Sequence, residues 1–183
     1  KDAGDAYNRG VRNGIRNDKP VIPVYNVNAQ GSGDMYPKPS NMLHSIRHGL
    51  NDDVLFRNIL RGLNKDFYHQ TVTTKQVENY INQKTKFNYD KVFDQYLRTI
   101  QVPGFEFYIS PDKKSVTYRY TNCVKGFNLP ITLTDKTSTL KLLPTDSWKT
   151  TSLSAAQAAL VKTETIDFMY YVKPVLLTEK PAK

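Results

Sequence analysis

The stretch that decides the fold is Gln101-Val102-Pro103-Gly104-Phe105-Glu106-Phe107-Tyr108-Ile109-Ser110-Pro111-Asp112-Lys113-Lys114-Ser115-Val116-Thr117-Tyr118-Arg119-Tyr120. After Pro103-Gly104 the apolar residues recur at every second position. Phe105 to Ile109 and Val116 to Tyr120 therefore predict two strands of a hairpin around the turn Ser110-Pro111-Asp112. Downstream, Leu129 to Leu133, Thr139 to Leu142 and Ile166 to Val172 are three further strand candidates. Ala155 to Leu160 reads as a helical turn or as a loop covering a sheet edge.

Upstream of the corner the period is helical. Met42, Leu43, Ile46 and Leu50 fall on one face, with Ser40 as the expected N-cap and Gly49 as a stop. Asn51-Asp52-Asp53 offers a cap for a second helix, whose apolar stripe is Leu55, Phe56, Ile59, Leu60 and Leu63, with Arg57 and Arg61 on the wet face. Thr73 and Gln76 have capping-box spacing for a third, and Asp90 opens a fourth through Val92, Phe93, Tyr96 and Leu97. Asp2 to Arg16, with glycines at 4, 10 and 14, is at best a weak helix. Residues 18–39, with Pro20, Pro23, Gly31, Gly33, Pro37 and Pro39, read as a long connection, and loops of that length carry function or are disordered. The fold class is α+β: a helical part over 1–102 followed by a small antiparallel β-sheet or sandwich domain over 103–183.

Composition excludes several classes. At 183 residues, 39% hydrophobic and 23% charged, the chain is long enough and apolar enough to bury a core. The net charge of +9 is spread from Lys1 to Lys183 with no run longer than Lys113-Lys114, so no nucleic-acid partner is expected. No apolar stretch is long enough to span a bilayer. The chain begins at Lys1 without a methionine, which leaves a removed leader open. The single cysteine, Cys123, lies at a strand end and reads as a small buried residue rather than a nucleophile.

His44 and His48 stand at i and i+4 on the helix expected from Ser40, where two imidazoles can meet one metal. The sequence between them, Ser45-Ile46-Arg47, lacks the glutamate of an H-E-x-x-H helix. The expectation is that His44 packs beside Leu43 and that His48 is solvated. His69 has no partner nearby in sequence. Gly31-Ser32-Gly33 lacks both the P-loop lysine and dinucleotide spacing, and no nucleophile with a partner base can be assembled. By chemistry alone the chain holds no complete active site.

The segment Tyr25-Asn26-Val27-Asn28-Ala29-Gln30-Gly31-Ser32-Gly33-Asp34-Met35-Tyr36-Pro37-Lys38-Pro39-Ser40-Asn41-Met42-Leu43-His44 resembles the stretch of M1 family (gluzincin) zinc aminopeptidases that reads G-S-G-D-M-Y-x-K-G and runs into N-M-L-H-x-x-R. Asn51-Asp52-Asp53-Val54-Leu55-Phe56-Arg57 is similar to that family's G-D-E-x-F-F-R, and Val92-Phe93-Asp94-Gln95-Tyr96-Leu97 to its F-D-Q-W-L before the corner Val102-Pro103-Gly104. Tyr118-Arg119-Tyr120-Thr121-Asn122 and Gly126-Phe127-Asn128-Leu129-Pro130 look like its small β domain. The order of these motifs covers nearly the whole chain, most firmly Tyr25 to Pro130.

The resemblance implies the helical lobe of a thermolysin-like catalytic domain, from the region downstream of the zinc-binding motif. It implies that Tyr36 donates a hydrogen bond to the oxyanion formed during peptide hydrolysis, a contribution of about 2.7 to 4 kcal/mol in comparable sites. It further implies zinc in a longer parent protein, held by an H-E-x-x-H pair and a glutamate upstream of this chain, with the upstream half of the catalytic domain and a peptide as partners. A periplasmic or secreted location is implied in the same way. No cofactor or metal ligand is expected in this chain, which should be inactive alone. Taken alone, Tyr36 reads only as an aromatic at a helix start. Pro39 stands where the family has glycine and is compatible only with a helix-start geometry. That departure keeps open the alternative of a non-catalytic peptide- or protein-binding module on the same fold.

Overall fold

The change of period at Pro103-Gly104 is a change of structure. In the computed structural model, which describes residues 2–24 and 27–182, helices α1 (Asp2–Arg12), α2 (Pro37–Leu50), α3 (Asp53–Asp66), α4 (Thr74–Thr85) and α5 (Asp90–Arg98) precede that corner. After it come β1 (Gly104–Ile109), β2 (Ser115–Thr121), β3 (Ile131–Thr134), β4 (Thr139–Leu142), β5 (Lys149–Ser152), α6 (Ala155–Leu160), α7 (Thr163–Met169) and β6 (Lys173–Leu176). The architecture is mixed α+β. Tyr25 and Asn26 of the motif stretch, and the terminal Lys1 and Lys183, lie outside the described residues.

Strands β1 and β2 form the expected antiparallel hairpin, with Phe105 opposite Tyr120 and Phe107 opposite Tyr118. Those four rings point inward and are buried, while Glu106 and Arg119 pair at 2.8 Å on the other face. The turn closes through Lys113 in the left-handed region, whose N–H donates to the Ser110 carbonyl at 2.8 Å.

The sheet is not wholly antiparallel as expected. Its order is β5-β2-β1-β6, and β6 runs parallel to β1, with Gly104 opposite Lys173. The return to that edge needs a crossover, and α6 and α7 supply it. This overturns the strand expected at Ile166 to Val172: Ile166 to Met169 lie in α7, and the strand starts at Lys173. A short apolar run cannot distinguish the two periods by itself. Here Ile166 and Tyr170 are buried one helical turn apart, joined by the Tyr170 N–H donating to the Ile166 carbonyl at 2.9 Å. The candidate at Leu129 to Leu133 begins two residues later, at Ile131, and pairs only with β4. Strands β5 and β6 sit at the sheet edges with largely exposed side chains, so they carry no alternation to read.

Two helix boundaries also move. The N-cap of α2 is Tyr36, not Ser40. Pro37 and Pro39 occupy the first and third helical positions, where the backbone N–H has no intrahelical acceptor, so neither proline removes a helix bond. The first i to i−4 bond is made by the Ser40 N–H to the Tyr36 carbonyl at 3.2 Å. Gly49 is inside α2, and the stop is Asn51 in the left-handed conformation.

Gly49 is glycine because of a close approach. A Cβ there would lie 2.7 Å from the Pro130 carbonyl oxygen. Beside it the Gly49 carbonyl accepts from Thr132 Oγ1 at 3.0 Å, which ties α2 to β3. Gly49→Ala is expected to lower stability by about 1–3 kcal/mol through overpacking. An unchanged denaturation midpoint would show that the α2–β3 contact yields without cost.

One apolar cluster runs across the corner, from Met42 and Ile46 through Phe93 and Tyr96 to Phe105, Phe127 and Leu129. Polar anchors cross with it: Tyr96 Oη donates to the Tyr171 carbonyl at 2.6 Å, and the Tyr171 N–H donates to Ser45 Oγ at 2.9 Å. Among the described residues no helix is long and apolar enough to cross a membrane.

Candidate functional site

Tyr36 lies where a 3-10 turn over Gly33–Met35 passes directly into α2. Its neighbours are buried: Ser32 and Lys38 are fully enclosed and Asp34 nearly so, whereas the Tyr36 side chain is 80% exposed. The backbone is held from three sides. The Asp34 carboxylate accepts from the N–H groups of Arg16 at 3.0 Å and Asn17 at 2.7 Å. Ser32 Oγ accepts from the Asp34 N–H at 3.1 Å and donates to Asp18 at 2.8 Å. Lys38 Nζ donates to the Thr99 carbonyl at 2.7 Å, and burial lowers its pKa against the pull of Asp34. Local sequence explains the geometry: the serine caps the 3-10 turn, and Pro37 starts the helix with its φ already suitable.

Gly31 is forced in the same loop. A Cβ there would stand 2.4 Å from the Val21 carbonyl oxygen, so the Gly31-Ser32-Gly33 segment owes its first glycine to packing rather than to a phosphate. Pro39 takes the helix-start geometry its chemistry requires, in the first turn of α2.

Beside Tyr36 is an open groove of about 410 Å³ lined by Tyr7, Gly10, Val11, Gly14, Tyr36, Pro37 and Ser40. Tyr7 is 65% exposed. Gly10 of α1 leaves open space on the groove wall between Tyr7 and Val11, since a Cβ there would meet nothing within 4 Å. With proline at its first and third positions, the N-terminal turn of α2 has few free N–H donors. Tyr36, the N-cap residue, adds a phenol donor beside this turn.

The histidines are arranged differently from expectation. His48 is not solvated: it is 2% exposed, and His44 is 5% exposed. Their Nε2 atoms lie 3.1 Å apart, and each is 2.9 Å from Oδ1 of Asp5, a buried residue of α1. Burial pushes His44 down to about 4, helped by His48 and Arg47 and opposed by Asp5. The groups facing His44 are thus Asp5 from α1 and His48 and Arg47 from α2, with the Tyr170 ring 5.9 Å from His48. A neutral buried histidine binds its proton more readily in the unfolded chain, so its contribution is complete above about 6.5 and is lost as pH falls toward about 4. With chelator present, the thermal midpoint is expected to fall between pH 7 and pH 5. An unchanged midpoint would contradict a neutral His44.

This cluster does not fit a gluzincin catalytic zinc. Position 45, where the general-base glutamate belongs, is a serine whose Oγ donates to the Asn41 carbonyl at 2.8 Å, and the cluster is enclosed rather than open to a peptide. His69 is exposed and stacks on Tyr68 at 4.0 Å, apart from both sites. Cys123 is half-buried, and burial pushes its thiol up to about 11, which leaves no thiolate for nucleophilic work.

Of the residues singled out by sequence, the structure places Tyr36 on an open groove and brings His44 and His48 together. Asp5 was missed, since nothing local marks an aspartate of a weak helix as the partner of residues about forty positions away. No protein-family model matches the chain, and no characterised protein matches it in sequence.

Proposed function

We propose that this chain is the part of an M1-like zinc aminopeptidase that follows the metal-binding motif, namely the rear helical lobe of a thermolysin-like domain and a small β domain. Tyr36 is its oxyanion donor. The observation that carries this reading is the placement of Tyr36: an exposed phenol on a backbone fixed by the buried Ser32, Asp34 and Lys38, at the start of a helix and on an open groove. A donor that acts on a developing charge needs a fixed base and free access to the substrate, and the fixed backbone and exposed side chain of Tyr36 are compatible with both. The groove beside it suits a peptide, with Tyr7 and Tyr36 as flat apolar walls and Gly10 and Gly14 leaving room for a main chain.

The chain lacks the ligands of a catalytic zinc, so on its own it is expected to release no N-terminal residue from an aminoacyl arylamide. Joined to the upstream segment that carries the ligands, it is expected to do so. Hydrolysis by the isolated chain, unaffected by chelator, would contradict the proposal.

The alternative, a non-catalytic peptide-binding module, is motivated by Pro39 and keeps the same groove. Since Pro39 costs α2 no hydrogen bond, it does not weigh against catalysis. The two readings part on one result: peptide binding by the joined protein with no turnover favours the module.

A further inference from the structure

The three donor atoms of Asp5, His44 and His48 converge on one point. Their separations, 2.9, 2.9 and 3.1 Å, form a nearly equilateral triangle. Hydrogen bonding alone leaves this triangle incomplete. Each Nε2 carries at most one proton, so at most two protons serve three contacts and one contact always lacks its proton. A cation above the triangle attracts all three lone pairs at once.

The dimensions suit such a cation. Ligands bound at about 2.0–2.1 Å in a tetrahedral shell stand about 3.3–3.4 Å apart, so each donor needs to retreat by only a few tenths of an ångström. All three groups lie within 4.8 Å of one another and all three residues are buried. Two rings one turn apart on α2 have their relative positions fixed by the helix, and α1 supplies the carboxylate across the α1–α2 contact. That contact is itself secured, since Arg12 Nε donates to Asn41 Oδ1 at 2.9 Å and Ser40 Oγ to Asn8 Oδ1 at 2.6 Å. The nearest cation, Arg47, is bound by Asp53 at 2.8 Å, which offsets its charge.

We propose that Asp5, His44 and His48 form a buried site for one divalent transition-metal ion of the zinc or cobalt type, which clips α1 onto α2. Among the described residues no other histidine, cysteine, aspartate or glutamate joins the group, so water completes the shell. Two imidazoles and a single carboxylate select such ions over magnesium or calcium, which prefer all-oxygen shells. The site does not depend on the peptidase reading.

The test is titration of the chelator-stripped 183-residue chain with Co²⁺, followed by its visible absorption, and with Zn²⁺ and Mg²⁺ by calorimetry. One equivalent of Co²⁺ is expected to bind with a tetrahedral-type absorption band that Zn²⁺ abolishes, while Mg²⁺ does not bind. Asp5→Asn keeps the side-chain shape and an acceptor oxygen but removes the anionic ligand, and is expected to weaken Co²⁺ binding at least tenfold. His48→Gln is expected to abolish the band, and His69→Gln to leave it unchanged. Circular dichroism establishes that each variant is folded; if His48→Gln is not, Asp5→Asn decides. No cobalt band with the folded wild-type chain, or binding as tight in Asp5→Asn as in wild type, would overturn the proposal.

Discussion

On the proposed peptidase reading, Tyr36→Phe introduced into a longer protein supplying the zinc ligands is expected to lower kcat/KM about 10²–10³-fold with zinc content unchanged. The substitution removes one hydroxyl and keeps the ring. Because the side chain is 80% exposed and serves α2 only through its backbone, the fold should lose no more than about 0.5 kcal/mol. The loss should fall on kcat, with KM little changed, since the donor is worth most when charge has developed on the substrate oxygen. A loss confined to KM would instead make Tyr36 a wall of the groove. Full activity would remove it from the mechanism.

Tyr170→Phe is expected to cost about 2–6 kcal/mol of folding stability. The Tyr170 hydroxyl donates to the Thr132 carbonyl at 2.9 Å and accepts from the Thr132 N–H at 2.7 Å, in a fully buried setting. Phenylalanine would leave both backbone groups of Thr132 without that partner, and each unsatisfied buried group costs about 1–3 kcal/mol. The same residue, through its own hydroxyl, bonds to Gly49, so the damage should spread to the α2–β3 contact. Urea denaturation measures the cost. A loss below about 1 kcal/mol would mean that water replaces the hydroxyl.

What the sequence disclosed depended on the range of the interaction. The β1–β2 hairpin and the Thr73–Gln76 capping box are local, set by alternation and by a spacing of three, and both are present. The run Ile166 to Val172 was expected as a strand on its apolar residues, but Ile166 and Tyr170 also satisfy a helical period, and the helix α7 ends at Met169. Its outcome was decided by packing against the helical layer, which no local pattern encodes. The prolines at 37 and 39 read as helix breakers only while the helix start was placed at Ser40. At the first and third positions they break nothing. Tyr36 was singled out only through motif order, since no property of an isolated tyrosine marks it. The Asp5–His44–His48 triangle was half legible, as two histidines at i and i+4. The missing half was the α1–α2 contact, which also buries His48.

The most direct measurement is the distance from Tyr36 Oη to the oxyanion mimic in a crystal structure of the longer protein bound to a peptide transition-state analogue such as a phosphinate. The proposed role predicts about 2.7–3.1 Å. An analogue seated in the groove with Tyr36 Oη turned away from that oxygen, beyond hydrogen-bonding distance, would contradict it.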